Sequence, residues 1–314
     1  MTVIGVDIQK AADLLNAGEL VAIPTETVYG LAGNALNVDT VGKIYEAKKR
    51  PFFNPLIIHL PSLEAAKPYV RDIPESLQML AKAFSPGPIS FLMPKSELVP
   101  DVITAGSDNV VIRIPDHPMT LELLRKLDFP LAAPSANPFG YVSPVTAQHV
   151  LDGLHGKIAY ILDGGTCRVG LESTIVGEED GQLIVYRLGG ITVEQIEKTT
   201  GIKPSLSLFH KNPDTPGQLT SHYAPGKPVL VGDVASLLAG KDAARVGVIT
   251  FQKEHGIKNS YVLSPSGNLA EAAAGLFQAL RDLDKADIDY IIAERFPNEG
   301  IGMAINDRLS RASA

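Results

Sequence analysis

The sequence predicts an α/β fold in two units: a large mixed sheet with interleaved helices, then a smaller α/β domain. Short β-branched apolar runs alternate with stretches of helical spacing along most of the 314 residues. The alternation breaks once, over 201–228, where five prolines and no apolar periodicity mark a linker. Beyond it the alternation restarts and runs to the end of the sequence.

Taken in order, IQKAADLLNAG has helical spacing and a glycine stop, and LVAIP after it reads as a short strand. Asp39 is placed to cap a helix running to the basic stretch at 48–50, and LIIHL then reads as a buried strand. Pro74 opens the helix PESLQMLAKAF, and ISFLMP and VVIRIP follow as strands. LAAPSA, AYILDGG, STIVG and LIVYRLG complete the strands of the first unit, and Thr192 with Gln195 forms a capping box for the next helix. After the linker come VLVGD, RVGVITF and YVLSP, then a long helix capped by Asn268 with Leu276, Leu280 and Leu283 on one face. YIIAERF and the helix GIGMAINDRLSRA close the chain. These elements give boundaries of 1–202, 203–227 and 228–314.

Composition narrows the function classes. With 45% hydrophobic and 20% charged residues the chain reads as an ordinary globular protein. Its net charge of −7 argues against a broad nucleic-acid footprint but leaves room for a local basic cavity. The single cysteine, Cys167, excludes an intramolecular disulfide and a cysteine-built zinc site. The N-terminal stretch lacks the pattern of a secretory signal and no apolar run can span a bilayer, so a cytoplasmic location is expected.

No common phosphate or metal signature is present: there is no G-x-x-x-x-G-K-[ST], G-x-G-x-x-G, H-E-x-x-H, EF-hand loop or G-x-S-x-G. The seven histidines are scattered, so no protein-built metal site is expected. Polar clusters follow predicted strands instead, where α/β sheets bind ligands, although such hydroxyls also serve turn geometry. IPTETVYGLAG carries Thr25, Glu26, Thr27 and Tyr29; APSANPFGYVSP carries Ser135, Asn137 and Ser143; LESTIVG starts a strand with Ser173 and Thr174. Arg113 alternates with apolar residues in VVIRIP, so it lies on an exposed face or is buried with an anionic partner. Arg187 in IVYRLGG repeats the situation, and His59 in LIIHL is either a core histidine or part of the same surface. The run Lys48-Lys49-Arg50 before Pro51 would by itself be a solvated helix end, since cations favour the last turn. Together these residues suggest one sheet face lined with cations and kept for a small anionic ligand.

IPTETVYGLAGNA, KIYEAKKRPFFNPLIIH, FSPGPISFLM, VVIRIPDHP, PLAAPSANPFGYVSP, LESTIVG and YRLGG, in this order, resemble the YrdC-like family of threonylcarbamoyl-AMP synthases. TPGQLTSHYAPGKPV and GIGMAINDRLSRA resemble the linker and the end of the accessory domain in its two-domain branch. The resemblance covers nearly the whole chain. It implies a twisted α/β sheet with a basic concave face and a smaller Rossmann-like C-terminal domain. It also implies a reaction in which L-threonine, bicarbonate and ATP give threonylcarbamoyl-AMP and pyrophosphate, with Mg²⁺ on the triphosphate. A separate transferase would then carry the threonylcarbamoyl group to tRNA, leaving room for a weak direct tRNA contact and requiring no membrane.

By this resemblance Thr27, His59, Arg113, Ala133 and Ser173 match threonine-pocket positions. Arg50, Asn54, Asn109, Ser135, Ser143, Arg187 and Tyr223 match nucleotide positions, with Lys48 beside the phosphates and Lys48 and Arg50 carrying the chemistry. Asn109 stands where the family usually has threonine, and Lys49 where it often has glycine. The linker is expected to fold over the nucleotide as a lid that places Tyr223 on ATP. Removal of Arg50 is expected to cost turnover but little stability, as at a surface charge. A carbamoyl-transfer domain of the hydrogenase-maturation type, or a non-catalytic RNA-binding module, are the competing readings.

Overall fold

A computed structural model describes residues 1–208, 215–216 and 222–314. Among them an eleven-stranded mixed sheet runs in the order Val3–Gly5, Tyr160–Leu162, Val21–Ile23, Gly30–Asn34, Leu131–Ala132, Ile57–His59, Asn109–Arg113, Ile89–Pro94, Thr174–Glu179, Gln182–Arg187 and Ser205–Leu206. The last of these strands pairs with Gln182–Arg187, so the first residues after 202 still extend the main sheet. A second sheet is four-stranded and parallel, in the order Val229–Val231, Tyr290–Ala293, Val246–Thr250 and Asn259–Val262.

Strand alternation gives the large sheet two different faces. On one, Ile58, Phe91, Ile112, Val176 and Val185 pack into the main core with Leu77, Leu80 and Ile196 from flanking helices. On the other, Ile57, Leu92, Val111, Ile175 and Tyr186 form a small apolar strip. Beside that strip the register draws distant residues into one row: His59 pairs with Arg113, Arg113 with Ser90, Ser90 with Ile175 and Ile175 with Arg187. Adjacent members of such a row stand about 4.8 Å apart. Plain alternation would send Arg187 to the core side with Val185. A register shift between Val185 and Arg187 turns it onto the row instead, which is what a bulge does.

The two units share one continuous apolar core: Leu276, Phe277 and Leu280 of the helix Leu269–Lys285 cluster with Val142, Leu171 and Tyr223. Gly170, at φ 73°, lies so close to this helix that a Cβ there would sit 2.5 Å from the Ala274 backbone. Arg281, 1% exposed, donates from Nε to the Ser143 carbonyl at 3.2 Å and from Nη2 to that of Val142. The second unit is thus fastened to the Ser135–Ser143 loop.

Several elements differ from expectation. Asn37, and not Asp39, caps the helix Val38–Lys48, because its side chain reaches the Thr40 N–H while Asp39 lies inside the first turn. Gly30–Asn34 is a strand that its two glycines conceal from a propensity reading. The helices Pro118–Arg125 and Ala147–Leu154 span only eight residues each, too short for periodicity to separate them from loop. The capping box at Thr192 and Gln195 and the Asn268 cap are present.

Candidate active site

The basic run divides into three fates. Lys49 ends its helix in the left-handed region at φ 54°, a conformation glycine adopts at least cost and the physical basis for glycine at this position. That reversal sends Lys49 to solvent and turns both neighbours inward, Lys48 to 1% exposure and Arg50 to 7%. Lys48 does not line the cavity described below: its Nζ donates to the carbonyls of Ser135 and Asn137, each at 2.5 Å, bracing their loop. Burial, with Arg50 and Lys157 nearby, holds its pKa well below the ordinary lysine value. The structure therefore gives Lys48 a bracing position behind the Ser135–Asn137 loop.

Arg50 is gripped from behind. Its Nε donates to the Asn54 carbonyl at 3.1 Å, and its Nη2 to Asn54 Oδ1 at 2.6 Å and to the Pro55 carbonyl at 2.8 Å. Burial lowers its pKa to about 10, so it stays charged at neutral pH. These bonds correct the expectation that Arg50 can be removed at little cost in stability. They also show Asn54 holding Arg50 rather than lining the cavity.

Arg113, on its strand among valines and isoleucines, has the anionic partner that burial demands. Its Nη2 lies 2.8 Å from Glu26 Oε1, with the two side chains 5% and 0% exposed. The pair is out of hydrogen-bonding alignment, so Arg113 Nε and Nη2 are left without a hydrogen-bond acceptor. Glu26 Oε2 accepts from the Asp116 N–H at 3.1 Å, which fixes the carboxylate. Arg187 donates from Nε to the Ser173 carbonyl and from Nη2 to Ser173 Oγ, both at 3.0 Å, and Ser173 Oγ shares a 2.7 Å hydrogen bond with Ser90 Oγ. The turn after Arg187 can approach this closely only through Gly189, whose missing Cβ would fall 2.2 Å from the Glu172 carbonyl.

Arg50, Arg113 and Arg187 converge on one cavity of about 50 Å³. His59, Ala133 and Ser135 line it with them, and Glu172, Pro216, His222 and Tyr223 close it. Of the expected residues, Thr27, Ser143 and Ser173 stand behind the wall: Thr27 Oγ1 lies 2.8 Å from Thr25 Oγ1, and Ser143 Oγ donates to Glu172 Oε1 at 2.5 Å. Asn109 pairs with Pro94 at the far end of the Arg113 strand, about 13 Å away at an ordinary strand rise, and does not line the cavity. The central part of the expected lid, 209–214 and 217–221, lies outside the described residues.

His59 is not one of the cations. Burial first, and then Arg113, lowers its pKa to about 3, so the ring is neutral in the cavity. The arginines alone make the face basic. Sequence reasoning named Glu26 only as one member of a polar loop, without a role, and passed over Glu172 in the LESTIVG segment. A carboxylate embedded among apolar and hydroxyl residues was the available signal.

His59, His149 and His222 are all held neutral by burial, His59 with a pKa near 3, His149 near 4 and His222 well below the ordinary value of 6.5. The unfolded chain therefore binds more protons below that value, and stability rises with pH there. The contribution is complete above about pH 6.5 and is lost as pH falls through the folded-state values. The urea midpoint should decline steadily from pH 7 to pH 4; a flat midpoint over that range would show that these rings titrate normally in the fold.

Comparison with known proteins finds two family models along the chain. The family model described as "Telomere recombination" matches residues 13–189, and the one described as "Threonylcarbamoyl-AMP synthase, C-terminal domain" matches 191–314. Threonylcarbamoyl-AMP synthase of Bacillus subtilis is 42% identical over 98% of this chain and 92% of its own. The enzyme of that name from Pyrococcus abyssi is 41% identical over 98% of this chain and 94% of its own. The crystal structure of P. abyssi Sua5 complexed with L-threonine superposes with a TM-score of 0.93 at 38% identity, covering 100% of this chain and 97% of that one. The chain belongs to the threonylcarbamoyl-AMP synthase family, in its two-domain form.

Proposed function

We propose that this protein is an L-threonylcarbamoyladenylate synthase that joins L-threonine, bicarbonate and ATP into threonylcarbamoyl-AMP and pyrophosphate, for modification of tRNA. The observation that carries the reading is the convergence of Arg50, Arg113 and Arg187, all buried, on one cavity beside a neutral His59. The threonine amine takes up carbon dioxide or bicarbonate as a carbamate. A carbamate oxygen attacks the α-phosphorus of ATP, the bond to the β-phosphate oxygen breaks, and pyrophosphate leaves with that electron pair. Nucleophile and electrophile are both anionic, so fixed positive charge and positioning supply most of the catalysis. Arg113, whose Nε has no hydrogen-bond partner and whose Nη2 already faces Glu26, suits the threonine carboxylate; Arg50 and Arg187 suit the phosphates.

A cavity of about 50 Å³ is far smaller than a nucleotide site, which typically needs roughly 300–1,000 Å³. Pro216, His222 and Tyr223, all from the 203–227 segment, cover it, and the Pro216 carbonyl accepts from Arg187 Nη1 at 3.4 Å. Pro216, His222 and Tyr223 therefore move aside for ATP to enter and return to keep water from the mixed anhydride. Mg²⁺ would arrive on the triphosphate: no described cluster of three His, Cys, Asp or Glu could hold a metal, and the oxygens of Glu172 are already engaged. A separate transferase consumes the product, and any direct tRNA contact is weak.

Pyrophosphate release tests this reading. It should require ATP, L-threonine and bicarbonate together. Equal turnover with leucine, or none with threonine at saturating bicarbonate, would reject it and favour a carbamoyl-transfer or RNA-binding role.

A further inference from the structure

Arg308 lies on the last helix, Gly302–Ala312, of the C-terminal unit, yet its side chain is 0% exposed and reaches beneath the cavity of the first unit. Its Nε donates to Glu172 Oε2 at 2.8 Å, and its Nη2 to the carbonyl of Leu188, the residue after Arg187, at 2.8 Å. Its guanidinium covers the Tyr223 ring at 4.9 Å, and its Nη1 meets Asp307 Oδ2 at 2.6 Å. Glu172 lines the cavity, and its other oxygen holds Ser143. Burial opposes ionisation of Glu172, but Arg308, Arg187 and the Ser143 hydroxyl together hold its pKa below the ordinary carboxylate value.

A buried anion is an awkward neighbour for a triphosphate. Left alone, Glu172 would repel the phosphates and compete with them for Arg187, whose field it already feels. Building on the ATP-site reading above, we propose that Arg308 is a positioning residue for the nucleotide half of the site. It neutralises Glu172, so that Arg187 stays available to phosphate, and it fixes Tyr223 and Ser143 from below. The C-terminal unit then completes the charge balance of the site as well as packing against it.

The test uses the full-length chain and threonine-dependent pyrophosphate release. Absence of that activity in the wild-type protein would be a failure of the functional reading, separate from what the variants report. Arg308→Met leaves Glu172 buried and unpaired; the KM for ATP should rise by about tenfold or more while that for threonine changes less than about threefold. The double variant Glu172→Gln, Arg308→Met removes both charges and should recover most of the loss in ATP KM. A merely structural role predicts no such recovery, because the double variant has lost every ionic contact between the units at this point. If Arg308→Met does not fold, Arg308→Lys carries the test: it keeps the charge and loses the fork, so the ATP KM alone should rise, by roughly three- to tenfold. Equal changes in both KM values, or a double variant no better than Arg308→Met, would overturn the proposal.

Discussion

Arg113→Lys should raise the KM for threonine by about a hundredfold while leaving that for ATP nearly unchanged. A lysine keeps the charge but lacks the planar fork that matches a carboxylate. Losing one charged hydrogen bond of about 2–3 kcal/mol is roughly a thirty- to 150-fold change in affinity. Lysine is the informative substitution because Glu26 Oε1 lies 2.8 Å from the Arg113 guanidinium in a pair almost wholly out of solvent. Arg113→Ala would strand that carboxylate, a loss of about 3–5 kcal/mol, and confuse binding with unfolding. Initial rates of pyrophosphate release against each substrate decide the matter. A rise in ATP KM with an unchanged threonine KM would move Arg113 to the phosphate side.

Arg50→Ala should cut turnover by roughly 10²–10³, the scale of losing one preorganised donor to developing charge. It should also lower stability by about 1–3 kcal/mol, because the Pro55 carbonyl and the side-chain oxygen of Asn54 lose their donor and the Asn54 carbonyl keeps only the Tyr45 hydroxyl. The two effects are read separately, kcat by pyrophosphate release and stability by urea titration. Near-normal kcat in a folded Arg50→Ala protein would remove Arg50 from the reaction and leave it only its grip on the loop.

Much of this molecule is legible in its sequence because local chemistry decides it. Apolar runs and caps announce an α/β chain in two units, and five prolines over 201–228 mark an interruption of the alternation. The alternation around Arg113 demands either solvent or an anionic partner, and Glu26 is that partner. What a side chain faces is another matter. Whether Lys48, Lys49 or Arg50 meets the cavity turns on one left-handed residue at position 49, which no charge pattern reveals. Arg187 faces the cavity only because the strand bulges before it. His59 loses its charge through burial beside Arg113, a neighbour on another strand. Glu172 meets Arg308 across 136 residues of chain. Period and propensity are properties of neighbours in sequence, so they determine which elements form. Register, burial and charge balance are properties of neighbours in space, and only the assembled sheet and the docked C-terminal helix bring those neighbours together.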